Sequence, residues 1–157
     1  MAVKRLLTEL KDITKDPNYL YSCEPTDNIL NWNILIIGPQ DTVYENGIFK
    51  GTIIFPKEYP IKPPQVILSD IIHPNIHTNG IVCISILHEG VDQYGYEDAS
   101  MRWNPSHCVN SIMLSIVSLL SNPNFDSPAN IDASVLWKDN PNEYKKMIYR
   151  IVGRSHS

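Results

Sequence analysis

Between residues 20 and 68, four short apolar runs follow one another: 20–23, 32–37, 48–55 and 65–68. Between them lie residues that turn the chain, at Glu24-Pro25-Thr26-Asp27, Gly38-Pro39 and Asn46-Gly47. Glycine and asparagine tolerate left-handed backbone there and proline fixes φ. No connection between the runs has the roughly dozen residues that a crossover between parallel strands needs. The pattern therefore predicts strands paired in sequence order as an antiparallel meander. After the third run, FPKEYPIKPP carries Pro56, Pro60, Pro63 and Pro64. Missing amide hydrogens and fixed dihedrals exclude a helix and predict a rigid, extended connection.

Helical periodicity lies on either side of this block. Val3, Leu6, Leu7, Leu10 and Ile13 form an apolar stripe among charged residues, and Asp16-Pro17 stops it. Residues 109–120 are strongly apolar and read as a buried helix, with Ser106 as its expected cap and Asn122-Pro123-Asn124 as its end. A further helix is expected to begin near Ala133 with Asp132 as its cap. The last, 142–152, places Tyr144, Met147, Ile148 and Ile151 on one face. No repeat or linker divides the chain, so one domain is expected over residues 1–157.

The length of 157 residues and 43% hydrophobic content allow a sizeable core. Thirteen basic residues against 17 acidic ones give a formal charge of −4, which offers no nucleic-acid surface. Three cysteines, Cys23, Cys83 and Cys108, make no C-x-x-C pair and no disulfide framework, and the histidines form no metal signature. The first residues alternate charge with apolar side chains, unlike a secretion signal, and no apolar stretch could span a bilayer. These features predict a soluble intracellular protein without direct membrane insertion.

The stretch HPNIHTNGIVCISIL, 73–87, opens a long irregular segment, and loops of that length usually carry function. Cys83 sits ten residues after His73 at the edge of an apolar run. Alone, that position suits a half-buried packing cysteine at least as well as a nucleophile.

In combination these residues resemble the ubiquitin-conjugating enzymes, the E2 class. The resemblance runs through the first helix, Trp32, Gly38-Pro39, YENGIF at 44–49, FPKEYPIKPP, His73-Pro74-Asn75, Cys83 and Trp103-Asn104-Pro105. It implies one α+β domain, a four-stranded antiparallel meander flanked by about four helices. Most of the family pass from the cysteine to the tryptophan in far fewer residues, whereas here the two are 20 apart. The insert, about 88–102, contains Glu89, Asp92, Glu97 and Asp98. It resembles the acidic-loop branch associated with proteasome-directing ubiquitin chains and degradation of endoplasmic-reticulum proteins. CISILH and ANIDASVLW resemble that branch as well.

The implied chemistry is transfer of ubiquitin from an activating enzyme (E1) to Cys83 as a thioester, then to a lysine amine with a ligase (E3). Thiolate is the reacting species. Asn75 would either donate to the oxyanion or support the loop through backbone hydrogen bonds. His73 is expected to support the same loop and Pro74 to rigidify it. Many relatives carry an aspartate on the loop after the buried helix to orient the incoming lysine. Here Ser127 holds that position with Asp126 before it, and His88, Glu97 and Asp98 are further candidates from the insert.

The resemblance also implies partner surfaces. Lys4, Arg5 and Glu9, then Pro60, Ile61 and Lys62, then Asn104, Pro105 and Ser106 would meet E1 and a RING-type E3. Ser22 would be a rear-surface ubiquitin contact. Tyr44, Phe49, Tyr59 and Trp103 are read as packing residues. No bound cofactor is expected, since ATP is used by the partner E1, and no metal. The expected location is the cytoplasm, with the nucleus or the endoplasmic-reticulum surface reached through partners. Two other readings compete: a noncatalytic adaptor of the same fold, and a cysteine hydrolase pairing Cys83 with His73, His77 or His88.

Overall fold

A computed structural model of the chain describes residues 1–90 and 98–157. Strands β1 (Tyr21–Pro25), β2 (Asn31–Ile37), β3 (Ile48–Ile54) and β4 (Gln65–Leu68) pair in that order, all antiparallel. The register sets like against like on the inner face: Ile36 opposes Tyr21 and Phe49, and Ile53 opposes Trp32 and Val66. All six are buried, while Asn33 and Lys50 on the other face are exposed. The period of two is therefore what decides the packed side.

Four helices complete the core: α1 (Ala2–Lys15), α2 (Val109–Ser121), α3 (Ile131–Asp139) and α4 (Pro141–Arg154). In α2, Ile112, Met113, Ile116 and Leu120 are wholly buried and join one hydrophobic cluster with the inner sheet face. Each such side chain contributes roughly 1.5–3 kcal/mol by leaving water. Helix α4 adds Tyr144, Ile148 and Ile151, spaced to share one face.

Two caps differ from expectation. The N-cap of α2 is Cys108, not Ser106: its N–H donates to the Ser111 hydroxyl at 2.8 Å and its carbonyl accepts from Ile112 N–H at 3.0 Å. Ser106 lies further out and bonds the Asn104 side chain instead. Helix α3 starts at Ile131, where the Asn130 side chain accepts from Ala133 N–H at 3.0 Å. Asp132 falls inside the first turn, where its charge suits the helix dipole without capping.

Glu9 is 6% exposed, although its charge reads as a wet helix face. One carboxylate oxygen accepts from the Tyr59 hydroxyl at 2.5 Å and Arg5 Nε at 2.9 Å. The other accepts from the Val109 backbone N–H at 2.7 Å. That N–H is among those a helix start leaves unpaired, so α1 caps α2 across 100 residues of sequence. Burial together with the bond to Glu9 holds the Tyr59 phenol well above its ordinary pKa. Arg5 extends the contact, donating to the carbonyls of Pro105 at 3.0 Å and His107 at 2.9 Å.

A second internal anchor precedes the irregular segment. The hydroxyls of Tyr44 and Tyr144 lie 2.7 Å apart and both donate to the Ile72 carbonyl, at 2.6 and 2.9 Å. The next residue, His73, has no exposed surface. Its Nδ1 accepts from Asn75 N–H at 2.9 Å, which leaves Nε2 as the protonated nitrogen, 2.8 Å from the Leu119 carbonyl. Burial pushes its pKa down from 6.5 to about 4.

Two outcomes follow from these buried polar groups. Glu9→Ala strands the Tyr59 hydroxyl, the Val109 N–H and the Arg5 guanidinium, and should cost about 3 kcal/mol. The shift in urea midpoint measures this, with Tyr59→Phe expected to cost about 1 kcal/mol. His73 stays neutral when folded but gains a proton when unfolded between pH 6.5 and about 4. Stability should therefore fall as pH drops through that window, by up to about 3 kcal/mol from this group. Urea unfolding at a series of pH values should show a shallower fall in His73→Gln than in the parent.

Candidate active site around Cys83

The segment carrying Cys83 is held along the open edge of β4. Leu68 N–H donates to Gly80 O and Val82 N–H to Val66 O, each at 2.9 Å, and Ile81 bridges Ile67. Gly80 has φ +94, and a Cβ there would lie 2.2 Å from the Leu68 carbonyl. A side chain is excluded, and the strand-like approach depends on that. Cys83 N–H then donates to the Asn75 carbonyl at 2.8 Å, so Cys83 is tied to the 73–75 turn by its own backbone.

The turn is in turn clasped to the connection between α2 and α3. Asn75 is 2% exposed. Its Nδ2 donates to Asn124 O and its Oδ1 accepts from Asn124 N–H, both at 2.8 Å. The Pro74 carbonyl accepts from Ala129 and Asn130 N–H, each at 2.9 Å. His73 thus holds the last turn of α2, while Asn75 and Pro74 fasten the two ends of the loop that follows it. Asp126 and Ser127 are exposed on it, and the Asp126 N–H donates to Asn124 Oδ1 at 3.0 Å.

After Cys83 the chain makes a 3-10 turn at Ser85–Leu87. His88 N–H donates to Ser85 O at 2.9 Å, and the turn brings His88 Nε2 to 3.6 Å from Cys83 Sγ. At that distance the imidazole and the thiol are within hydrogen-bonding reach of each other. The insert is closed at its base: Trp103 N–H donates to His88 O at 2.9 Å, and Arg102 donates to the carbonyls of Glu89 and Gly90, both at 2.9 Å. Asp98 is exposed near that base, whereas Glu97 lies outside the described residues.

Of the three histidines weighed for a hydrolase, His73 has both nitrogens engaged away from sulfur, His77 is exposed, and His88 alone is placed against it. Cys23 is a poor alternative nucleophile. Burial first, and then the charge of Glu9, push its thiol up to about 11. Among the described residues no three potential ligands cluster as a metal site, and no helix is long and apolar enough to cross a membrane.

The expected partner surface needs correction at two positions. Glu9 is buried in the contacts described above, and Pro60 is buried with its carbonyl accepting from Trp103 Nε1 at 2.9 Å. Both build the surface from beneath. Lys4, Ile61, Lys62, Pro105 and Ser106 are exposed, and Arg5 and Asn104 are half-buried. Ser22 is exposed on the outer sheet face, beside a shallow depression that also involves Asn33, Leu35 and Lys50. Asn124 and Arg102 escaped the sequence reading. Neither belongs to a spacing pattern, because Asn124 meets the Asn75 side chain through its own backbone and Arg102 reaches the backbone carbonyls of Glu89 and Gly90.

The family model described as ubiquitin-conjugating enzyme matches residues 5–152. Ubiquitin-conjugating enzyme E2 15 of Schizosaccharomyces pombe is 49% identical over 154 residues, covering 96% of this chain and 92% of that protein. Ubiquitin-conjugating enzyme E2 7 of Arabidopsis thaliana is 50% identical, covering 96% and 93%. Ubiquitin-conjugating enzyme E2 G2 of Homo sapiens is 42% identical, covering 98% and 96%. With a family match across nearly its whole length and relatives at 42–50% identity, the chain belongs to the ubiquitin-conjugating enzymes: it is an E2, a transferase that works with ubiquitin, an E1, an E3 and substrate lysines.

Proposed function

We propose that Cys83 carries ubiquitin and that the chain, with a RING-type E3, builds proteasome-directing ubiquitin chains on substrate lysines. The observation that carries this reading is the placement of Cys83. Its backbone is fixed by Asn75 while its half-buried sulfur has His88 Nε2 at 3.6 Å. The thiolate attacks the carbonyl of the ubiquitin C-terminus held on E1, and the E1 thiol leaves. A lysine amine then attacks the new thioester, loses its proton, and expels the Cys83 thiolate. ATP is spent by E1, and no cofactor is needed on this chain.

The hydrogen bonds of Asn75 favour loop support, because both polar atoms of its amide engage Asn124 backbone. The second hydrogen of Nδ2 is the one left to serve an oxyanion. His88 assists by favouring thiolate as entering and leaving group. Asp126, Ser127 and Asp98 are exposed acceptors for the lysine proton, with Glu97 a further candidate. Chain-building and its proteasome-directing linkage rest on the acidic insert. The protein works in the cytoplasm and reaches the nucleus or the endoplasmic-reticulum surface through partners. Lys4, Arg5, Ile61, Lys62, Asn104, Pro105 and Ser106 form the E1 and E3 surface, and Ser22 marks a rear ubiquitin contact.

Charging of the purified chain with E1, ubiquitin and ATP tests the central step. A ubiquitin-sized adduct should form and vanish with thiol reductant, and Cys83→Ser should give either a reductant-resistant adduct or none. Failure to charge beside a competent control E2 would sink the reading. The approach of His88 also admits a hydrolase, which would lose the thioester to water in the absence of any amine. For Asn75→Ala, loop support predicts a stability loss of about 1–3 kcal/mol together with slower discharge to lysine. A purely oxyanion-donating role predicts slower discharge at unchanged thermal midpoint.

A further inference from the structure

The loop between α2 and α3 carries Asp126 and Ser127, and its two ends are fastened by Asn75 and Pro74. Between those fastenings, residues 125–128 make a single hydrogen bond among the described residues, from Asp126 N–H to Asn124 Oδ1. The remaining tether is the side chain of Phe125. Its ring meets Trp137 edge-on with centroids 5.8 Å apart, and Lys138 Nζ lies 4.8 Å from its centroid. Trp137 is itself packed against Tyr144 at 4.8 Å and lies 6.4 Å from the ring of His73. Lys138 by contrast is exposed, in the last turn of α3, where a cation also suits the helix dipole.

We propose that Lys138, through its cation–π contact with Phe125, is a positioning residue that fixes the Asp126–Ser127 segment of the loop clasped to Asn75, whose carbonyl holds Cys83 N–H, and so governs transfer to lysine. This rests on Cys83 being the thioester carrier. The contact is a surface one, so it biases the loop without supporting the core. A cation–π pair at an exposed site contributes enough to shift the loop population about threefold. Charging by E1 needs the thiolate and the E1 surface but no incoming lysine, so it should not respond. Lysine must be desolvated and oriented before it attacks, so it should respond. Hydroxylamine is small and already largely unprotonated at neutral pH, and should discharge the thioester without the loop.

The test uses the full chain, charged with E1, fluorescent ubiquitin and ATP, then followed in single turnover with free lysine or with hydroxylamine. Lys138→Met and Phe125→Leu should each slow lysine discharge about threefold. Charging, thermal midpoint and hydroxylamine discharge should hold, Lys138→Arg should restore the lysine rate, and the double variant should be no slower than either single one. An unchanged rate in Lys138→Met overturns the proposal. So does an equal loss toward both nucleophiles, or an additive double variant. A parent chain that fails to charge overturns the thioester reading itself, and this inference with it.

Discussion

Three consecutive residues, His73-Pro74-Asn75, tie together the segment that carries Cys83, the end of α2 and the loop that follows it. A loop cannot be buried unless its backbone polar groups find partners, and here each residue supplies some. His73 reaches the Leu119 carbonyl, Pro74 offers its own carbonyl to Ala129 and Asn130, and Asn75 pairs both amide atoms with Asn124 while its carbonyl takes Cys83 N–H. The cysteine, the loop beside it and the end of α2 are thereby referred to one rigid origin. His73 fills this role only as a neutral ring, since Nδ1 must accept and Nε2 must donate. Its displacement from the ordinary histidine range reflects the burial that the role demands.

The opposite end is organised around a charge rather than a turn. Glu9 joins α1, the proline-rich connection and the start of α2, and Arg5 continues the contact to Pro105 and His107. The exposed residues assigned to partner binding therefore sit on backbone that this cluster fixes. A partner docking there meets a preorganised surface, which lowers the ordering cost of a small transient interface.

Much of the architecture was legible because it is local and periodic. The apolar runs and the turn residues between them marked the strands, and the 3.6 period of α1 and α4 needed no tertiary information. The caps were harder. Ser106 and Asp132 have suitable side chains near helix starts, but the cap goes to whichever residue holds the half-extended backbone, here Cys108 and Asn130. Glu9 misled for a different reason: its partners Tyr59 and Val109 lie 50 and 100 residues away, and no window on the sequence contains them. The site divides in the same way. Cys83 and Asn75 stand in a recognisable motif. Asn124 and Arg102 act through backbone carbonyls and amides, whose positions only the folded chain defines.

The neck of the insert has a consequence for how this lineage can change. Trp103 N–H meets His88 O, and Arg102 donates to the Glu89 and Gly90 carbonyls, so the two ends of the insert are joined to each other. Lengthening a loop whose ends are already joined costs only about 0.6 kcal/mol per doubling of length. Mutation can therefore lengthen or shorten the insert at little cost in chain entropy. Variation can then collect within one segment while the residues that join its ends stay as they are.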